Sequence, residues 1–95
     1  MSVQTACEAL RSGHVLELQY DGYVRLVEVH AVGFTGEDSP IMRIRGGADN
    51  KESTGWKLLR VDEANGAVVT DQKSLAPRPD YRAGDKEMKL ITCQL

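Results

Sequence analysis

The run Val15-Leu16-Glu17-Leu18-Gln19-Tyr20-Asp21-Gly22-Tyr23-Val24-Arg25-Leu26-Val27-Glu28-Val29 reads as a β-hairpin. Leu16, Leu18 and Tyr20 fall on one face and Glu17 and Gln19 on the other, the two-residue period of a half-buried strand. Asp21-Gly22 supplies a type I′ turn, because glycine accepts the positive φ that this turn needs. From Tyr23 the chain runs back to Phe34, and its alternation changes phase on the way. Val24 and Leu26 share one parity, while Val27, Val29 and Ala31 share the other. A β-bulge or sharp bend near Leu26-Val27 would keep both sets inside, and such bends let a few long strands close into a small barrel.

Working outward, residues 3–12 read as a helix that docks on this sheet. Val3, Ala6, Cys7 and Leu10 recur at helical spacing, Ser2 is a candidate N-cap, and Gly13 is a candidate left-handed stop. On the other side, Thr35 to Asp38 is a turn and Ile41 to Arg45 a strand. Gly46 to Thr54 reads as an exposed loop, and Gly55 to Val61 as a fourth strand containing Trp56. One helical turn over Asp62 to Gly66 and a short extended piece over Ala67 to Thr70 come next. Ser74 to Asp85 is irregular around Pro77 and Pro79, with Tyr81 pinning it to the barrel, and Glu87 to Leu95 is a closing strand. The expectation is one mainly β domain over residues 1–95, with the helix at about 3–12 and a barrel of about five antiparallel strands from about 15 onward.

Twelve Lys and Arg against fourteen Asp and Glu give a net charge of −2, which excludes binding of nucleic acid by bulk positive charge but leaves room for a local basic patch. No apolar run approaches a membrane span and no signal-peptide pattern opens the chain, so the expected location is the cytoplasm. Cys7 and Cys93 share no ligand spacing; a disulfide tying the ends is one reading, and two buried, reduced thiols the favoured one. His14 and His30 belong to no metal-ligand array, and read as surface or half-buried residues. No nucleophile elbow, phosphate loop or catalytic constellation is present in the pattern, so neither an enzyme nor a cofactor is expected.

The informative residues are basic ones within strands. Arg43 and Arg45 share a strand face, and Arg25, Lys57 and Arg60 lie in neighbouring strands. Guanidinium groups grouped in this way suit phosphate or carboxylate ligands, since each offers a planar fork of donors. The alternative is a solvated sheet face on which Glu17 and Glu28 neutralise the arginines. Trp56 is either a core anchor or a stacking platform for a base, and Tyr20 is a further candidate stacking partner.

Three stretches together resemble the WYL domain family of bacteria. The hairpin from Val15 to Val29 is similar to the family's opening strand ending in Tyr, Gly turn and Arg-x-Val. Gly55-Trp56-Lys57-Leu58-Leu59-Arg60-Val61-Asp62 resembles its Arg-x-Phe-Arg-Leu-Asp-Arg-Ile segment, and the helix ending at Arg11-Ser12-Gly13 its Ala-Ile-x-x-Gly opening. The naming Trp-Tyr-Leu run is replaced by Pro40-Ile41-Met42-Arg43, Val29 stands where Pro is usual, and Glu63-Ala64 replaces the closing Arg-Ile. The resemblance implies an Sm-like, SH3-type barrel that senses nucleotide-like or nucleic-acid ligands, and it carries over Tyr20, Arg25 and Arg60 by direct match. The expected function is therefore a non-enzymatic ligand-sensing or regulatory module, with Arg25, Arg43, Arg45 and Arg60 as anion contacts and Tyr20 or Trp56 as stacking partners. The alternative is a protein–protein adaptor or self-associating homodimer with no small ligand.

Overall fold

The computed structural model describes residues 1–46 and 55–95, so most of the expected Gly46 to Thr54 loop lies outside the described residues. Helix α1 (Val3–Ser12) starts where the Ser2 side chain accepts from the Thr5 N–H, and stops at Gly13, whose φ of 73° only glycine adopts without strain. Strands β1 (His14–Tyr20) and β2 (Tyr23–Phe34) form the expected hairpin, in regular register from Leu16 opposite Val27 to Tyr20 opposite Tyr23. Asp21 and Gly22 both take positive φ, as the type I′ turn requires.

Strand β2 is long enough to serve several partners. Its first half pairs with β1, and its second half pairs with β3 (Pro40–Arg45) on one edge and β6 (Leu90–Gln94) on the other. Strand β4 (Trp56–Arg60) extends β3, a 3₁₀ turn spans Val61–Glu63, and β5 (Asn65–Lys73) returns along β1. All pairs are antiparallel, the order is β4-β3-β2-β1-β5 with β6 on β2, and the ladders do not close. The expected closed barrel of about five strands thus appears as an open sheet of six. The added strand is β5, nine residues long where a short extended piece over Ala67 to Thr70 is expected, while β6 falls within the expected closing strand and continues beside β2 where β1 leaves off.

The phase change exists, four residues beyond its expected place. Register is unbroken through Leu26 and Val27 and slips between Val29 and Ala31, which puts the bulge at His30. Val24 therefore faces outward at 55% exposure, while Val27, Val29 and Val32 enter the core. Glu28 ahead of the bulge, His30 at it and Ala31 beyond it point to the opposite, outer face, in line with Arg45 and Arg43 of β3.

The inner face packs Leu16, Leu18, Val32, Met42 and Ile44 beneath Ala6, Cys7 and Leu10 of α1. Cys7 and Cys93 form a disulfide, which overturns the favoured reduced reading. The helical period of α1 and the two-residue period of β6 both aim a cysteine into one core, with 6.1 Å between the Cα atoms. On the outer face, residues 74–89 cross β2, β3 and β4 as a strap, sealed at one end by a small cluster of Ala31, Ile41 and Met88 with Leu58 and Ile91. Gly33 is required there, because a Cβ would strike the carbonyl oxygen of Leu90. Among the described residues no helix is long and apolar enough to cross a membrane.

Candidate functional site: the outer face of β2–β4 and its strap

Two polar side chains of β2 face the strap, Glu28 by alternation with the inward Val27 and Val29, and His30 through the bulge. Glu28 accepts from Arg78 Nε at 2.7 Å through one carboxylate oxygen and from the Leu75 N–H at 2.8 Å through the other. Burial pushes the Glu28 carboxyl up, but the Arg78 hydrogen bond, the Leu75 amide and the Arg78 charge outweigh it and hold the group below its ordinary value. His30 is fully buried, which corrects the expected surface or half-buried position. Its Nδ1 lies 3.0 Å from the Glu28 carbonyl, an acceptor only, so Nδ1 carries the proton. Nε2 is then free to accept from the Arg78 N–H at 3.1 Å. This neutral ring has both nitrogens satisfied, and burial lowers its pKa.

Trp56 and Tyr81 complete an aromatic group around His30, with ring centroids 4.6 and 5.0 Å away. The indole Nε1 donates to Asp80 at 2.8 Å, a bond that holds the Asp80 carboxyl below its usual range. The Arg43 fork grips Asp85 with Nε at 2.6 Å and the second nitrogen at 3.2 Å. That bond is the main reason the arginine is raised and the aspartate lowered. Arg45 lies 3.7 Å from Asp80, its guanidinium 5.7 Å from the Trp56 ring centre.

Arg43, Trp56, Asp80, Tyr81 and residues 82–87 line a cleft of about 430 Å³. Its charged walls balance, with Arg43, Arg82 and Lys86 against Asp80, Asp85 and Glu87. The Tyr81 hydroxyl is buried and meets no hydrogen-bonding group among the described residues, and burial raises its pKa. Chemically the cleft offers forked cations, an indole, a phenol and carboxylates that compete for the cations.

Of the residues singled out from sequence, the structure brings Arg43, Arg45 and Trp56 together. It places Tyr20, Arg25 and Arg60 in a separate group at the hairpin end. Arg25 Nε donates to the Tyr20 carbonyl at 3.3 Å, and its guanidinium lies over the Tyr20 ring. The Tyr20 hydroxyl accepts from the Arg60 N–H at 3.1 Å. Arg60 is exposed and chelated by Asp62 at 2.9 and 3.2 Å. Among the described residues, the carboxylates that pair with these arginines include Asp80, Asp85, Asp62 and Glu63, whereas the expected Glu28 serves Arg78.

Sequence reasoning missed Glu28, His30, Arg78, Asp80 and Asp85 as parts of one site. The available signal was the phase break in β2, which forces some residue nearby to turn outward. Among the described residues, no three His, Cys, Asp or Glu side chains converge as a metal ion would need. No family model, curated protein or solved structure matches the chain.

Proposed function

We propose that this chain is a non-enzymatic ligand-binding or regulatory module of a bacterium, a WYL-like, SH3-type barrel that takes a nucleotide or nucleic-acid anion. The barrel reading is supported by the strand order β5-β1-β2-β3-β4 with a 3₁₀ turn between β4 and β5. It is further supported by the Tyr20 hydroxyl, which ties the end of β1 to β4. The observation that carries the ligand reading is the convergence of Arg43, Arg45 and Trp56 on one sheet face beside the cleft. Guanidinium forks suit phosphate and an indole suits base stacking.

Trp56 is the one tryptophan of the chain, so its fluorescence reports on the site directly. Titration with nucleotides and short single-stranded oligonucleotides should quench it in the parent. R43E/R45E should weaken binding by about tenfold or more and flatten its salt dependence. R25E/R60E, in the separate Tyr20 group, should change it much less. If parent and R43E/R45E give the same isotherm, the assigned face is wrong.

A cytoplasmic setting belongs to the same reading, and there the cellular thiol pool would act against the Cys7–Cys93 bond. Thiol trapping in intact cells measures which form is present. A second reading, a protein–protein adaptor or homodimer, is favoured by the outer edges of β4 and β5 and by exposed Tyr23, Val24 and Val68 near the hairpin. Light scattering with and without nucleic acid separates the two: growth in mass without ligand supports the second.

A further inference from the structure

Resting on the ligand site just proposed, we infer that Asp80 and Asp85 are an intramolecular competitor, holding the place of a ligand that carries two anionic groups one strand repeat apart. Arg43 and Arg45 stand two residues apart on β3, which separates their Cα atoms by about 7 Å along the strand. Each meets a carboxylate from the same short stretch of strap: Arg43 through a two-pronged bond to Asp85, Arg45 across 3.7 Å to Asp80. The Trp56 indole, the surface for a base, is engaged by the same Asp80. Neighbouring phosphates of an extended polynucleotide have a comparable spacing, so the ligand class is a single-stranded polynucleotide and the strap is its competitor.

The two contacts differ in strength. Asp85 is nearly buried and bidentate, whereas Asp80 is exposed and its ion pair is long. Charge-assisted bonds weaken with distance and solvation, so a polyanion would displace Asp80 first and Asp85 second. The strap remains tethered during this exchange, because Glu28 and His30 hold Leu75 and Arg78 independently of either arginine. Binding therefore opens the 80–85 portion alone.

The test is titration of the full chain with oligothymidylate at low salt, in the parent, D80N/D85N, R43E/R45E and the charge-matched E8Q/E17Q. Both asparagines keep an amide oxygen that can accept from the Trp56 Nε1 and the Glu87 N–H. D80N/D85N should bind about tenfold more tightly than the parent, and E8Q/E17Q, whose carboxylates are exposed and are not the ones that meet Arg43 and Arg45, should not. Equal gains in both would mean bulk charge and overturn the competitor. No gain in D80N/D85N together with weakened binding in R43E/R45E would overturn the competitor and keep the site. Indifference of binding to all three variants would overturn both. Thermal melting checks that D80N/D85N is folded. If it is not, D80N alone carries the test, with about a threefold gain expected and its absence overturning the inference.

Discussion

On its inner face the sheet meets α1 through Leu16, Leu18, Val32 and Met42, with one disulfide in the same layer. On its outer face β2, β3 and β4 meet the strap mainly through His30, Glu28–Arg78 and Arg43–Asp85, with only a small apolar cluster at Ala31, Ile41 and Met88. The two faces of the sheet, which share β2, are therefore sealed by opposite means. Apolar burial is non-directional and insensitive to pH, whereas the outer contacts need each partner in place and in the right protonation state. The inner seal should set global stability, and the outer one should be the part that opens.

The largest effect should come from the inner face. Cys7→Ser with Cys93→Ser releases a crosslink spanning 86 residues, worth about 4.5 kcal/mol by loop-closure entropy. Urea unfolding should show a lower midpoint in the double variant. Leu18→Ala follows at about 3 kcal/mol, the ordinary cost of truncating a fully buried leucine, and should speed amide exchange throughout the sheet. Glu28→Gln comes next, at about 2 kcal/mol, because it removes the charge that Arg78 and the Leu75 amide face. Its faster exchange should be confined to the strap, read at the Leu75 and Arg78 amides. If Glu28→Gln loosened α1 as much as Leu18→Ala does, the two faces would be one cooperative unit and the contrast would fail.

The same contrast explains what could be read from the chain. Helix α1, its two caps and the β1–β2 hairpin were legible, because each is fixed by residues a few positions apart: Ser2 with Thr5, Gly13, Asp21-Gly22. The need for a phase break in β2 was legible too, but not its position. Val24 and Leu26 look like core residues by type, and only the strap, which covers the far half of β2, shows that the outward turn belongs at His30. The pairing of Arg43 with Arg45 could be found from their parity on β3, but not the β3–β4 register that sets Trp56 opposite Arg45. Their carboxylate partners could not, since Asp80 and Asp85 lie in an irregular segment with no periodicity to orient them. The Glu28 and His30 contacts join residues 47 to 50 positions apart, and nothing local encodes such a meeting. Cys7 and Cys93 each sat on a recognisable inner face, and only the docking of α1 against β2 and β6 brought them together.

The finest test of the contrast is pH. His30 is held neutral, with Nε2 accepting from the Arg78 N–H, and burial holds its folded pKa below the ordinary 6.5. The unfolded chain therefore takes up a proton at a higher pH than the folded one. The His30 contribution to stability is complete above about pH 6.5 and is lost as pH falls through the lowered folded value. A proton on Nε2 would face the Arg78 N–H donor to donor, so this loss falls on the strap. The nearby charges pull both ways: Glu28 and Asp80 favour the protonated ring and Arg78 opposes it, while burial, the largest effect, opposes it most. Glu28 itself titrates below its ordinary value of 4.5, which leaves the interval beneath pH 6.5 to the histidine. His30→Phe keeps a ring beside Trp56 and Tyr81 but removes the acceptor, so it should cost about 1 kcal/mol at neutral pH and flatten the pH dependence in that interval. Urea midpoints followed through Trp56 fluorescence from pH 7.5 to about 5 would measure both. A parent curve that stays level, or a variant curve that falls as steeply as the parent's, would show that the strap is not held through a neutral His30.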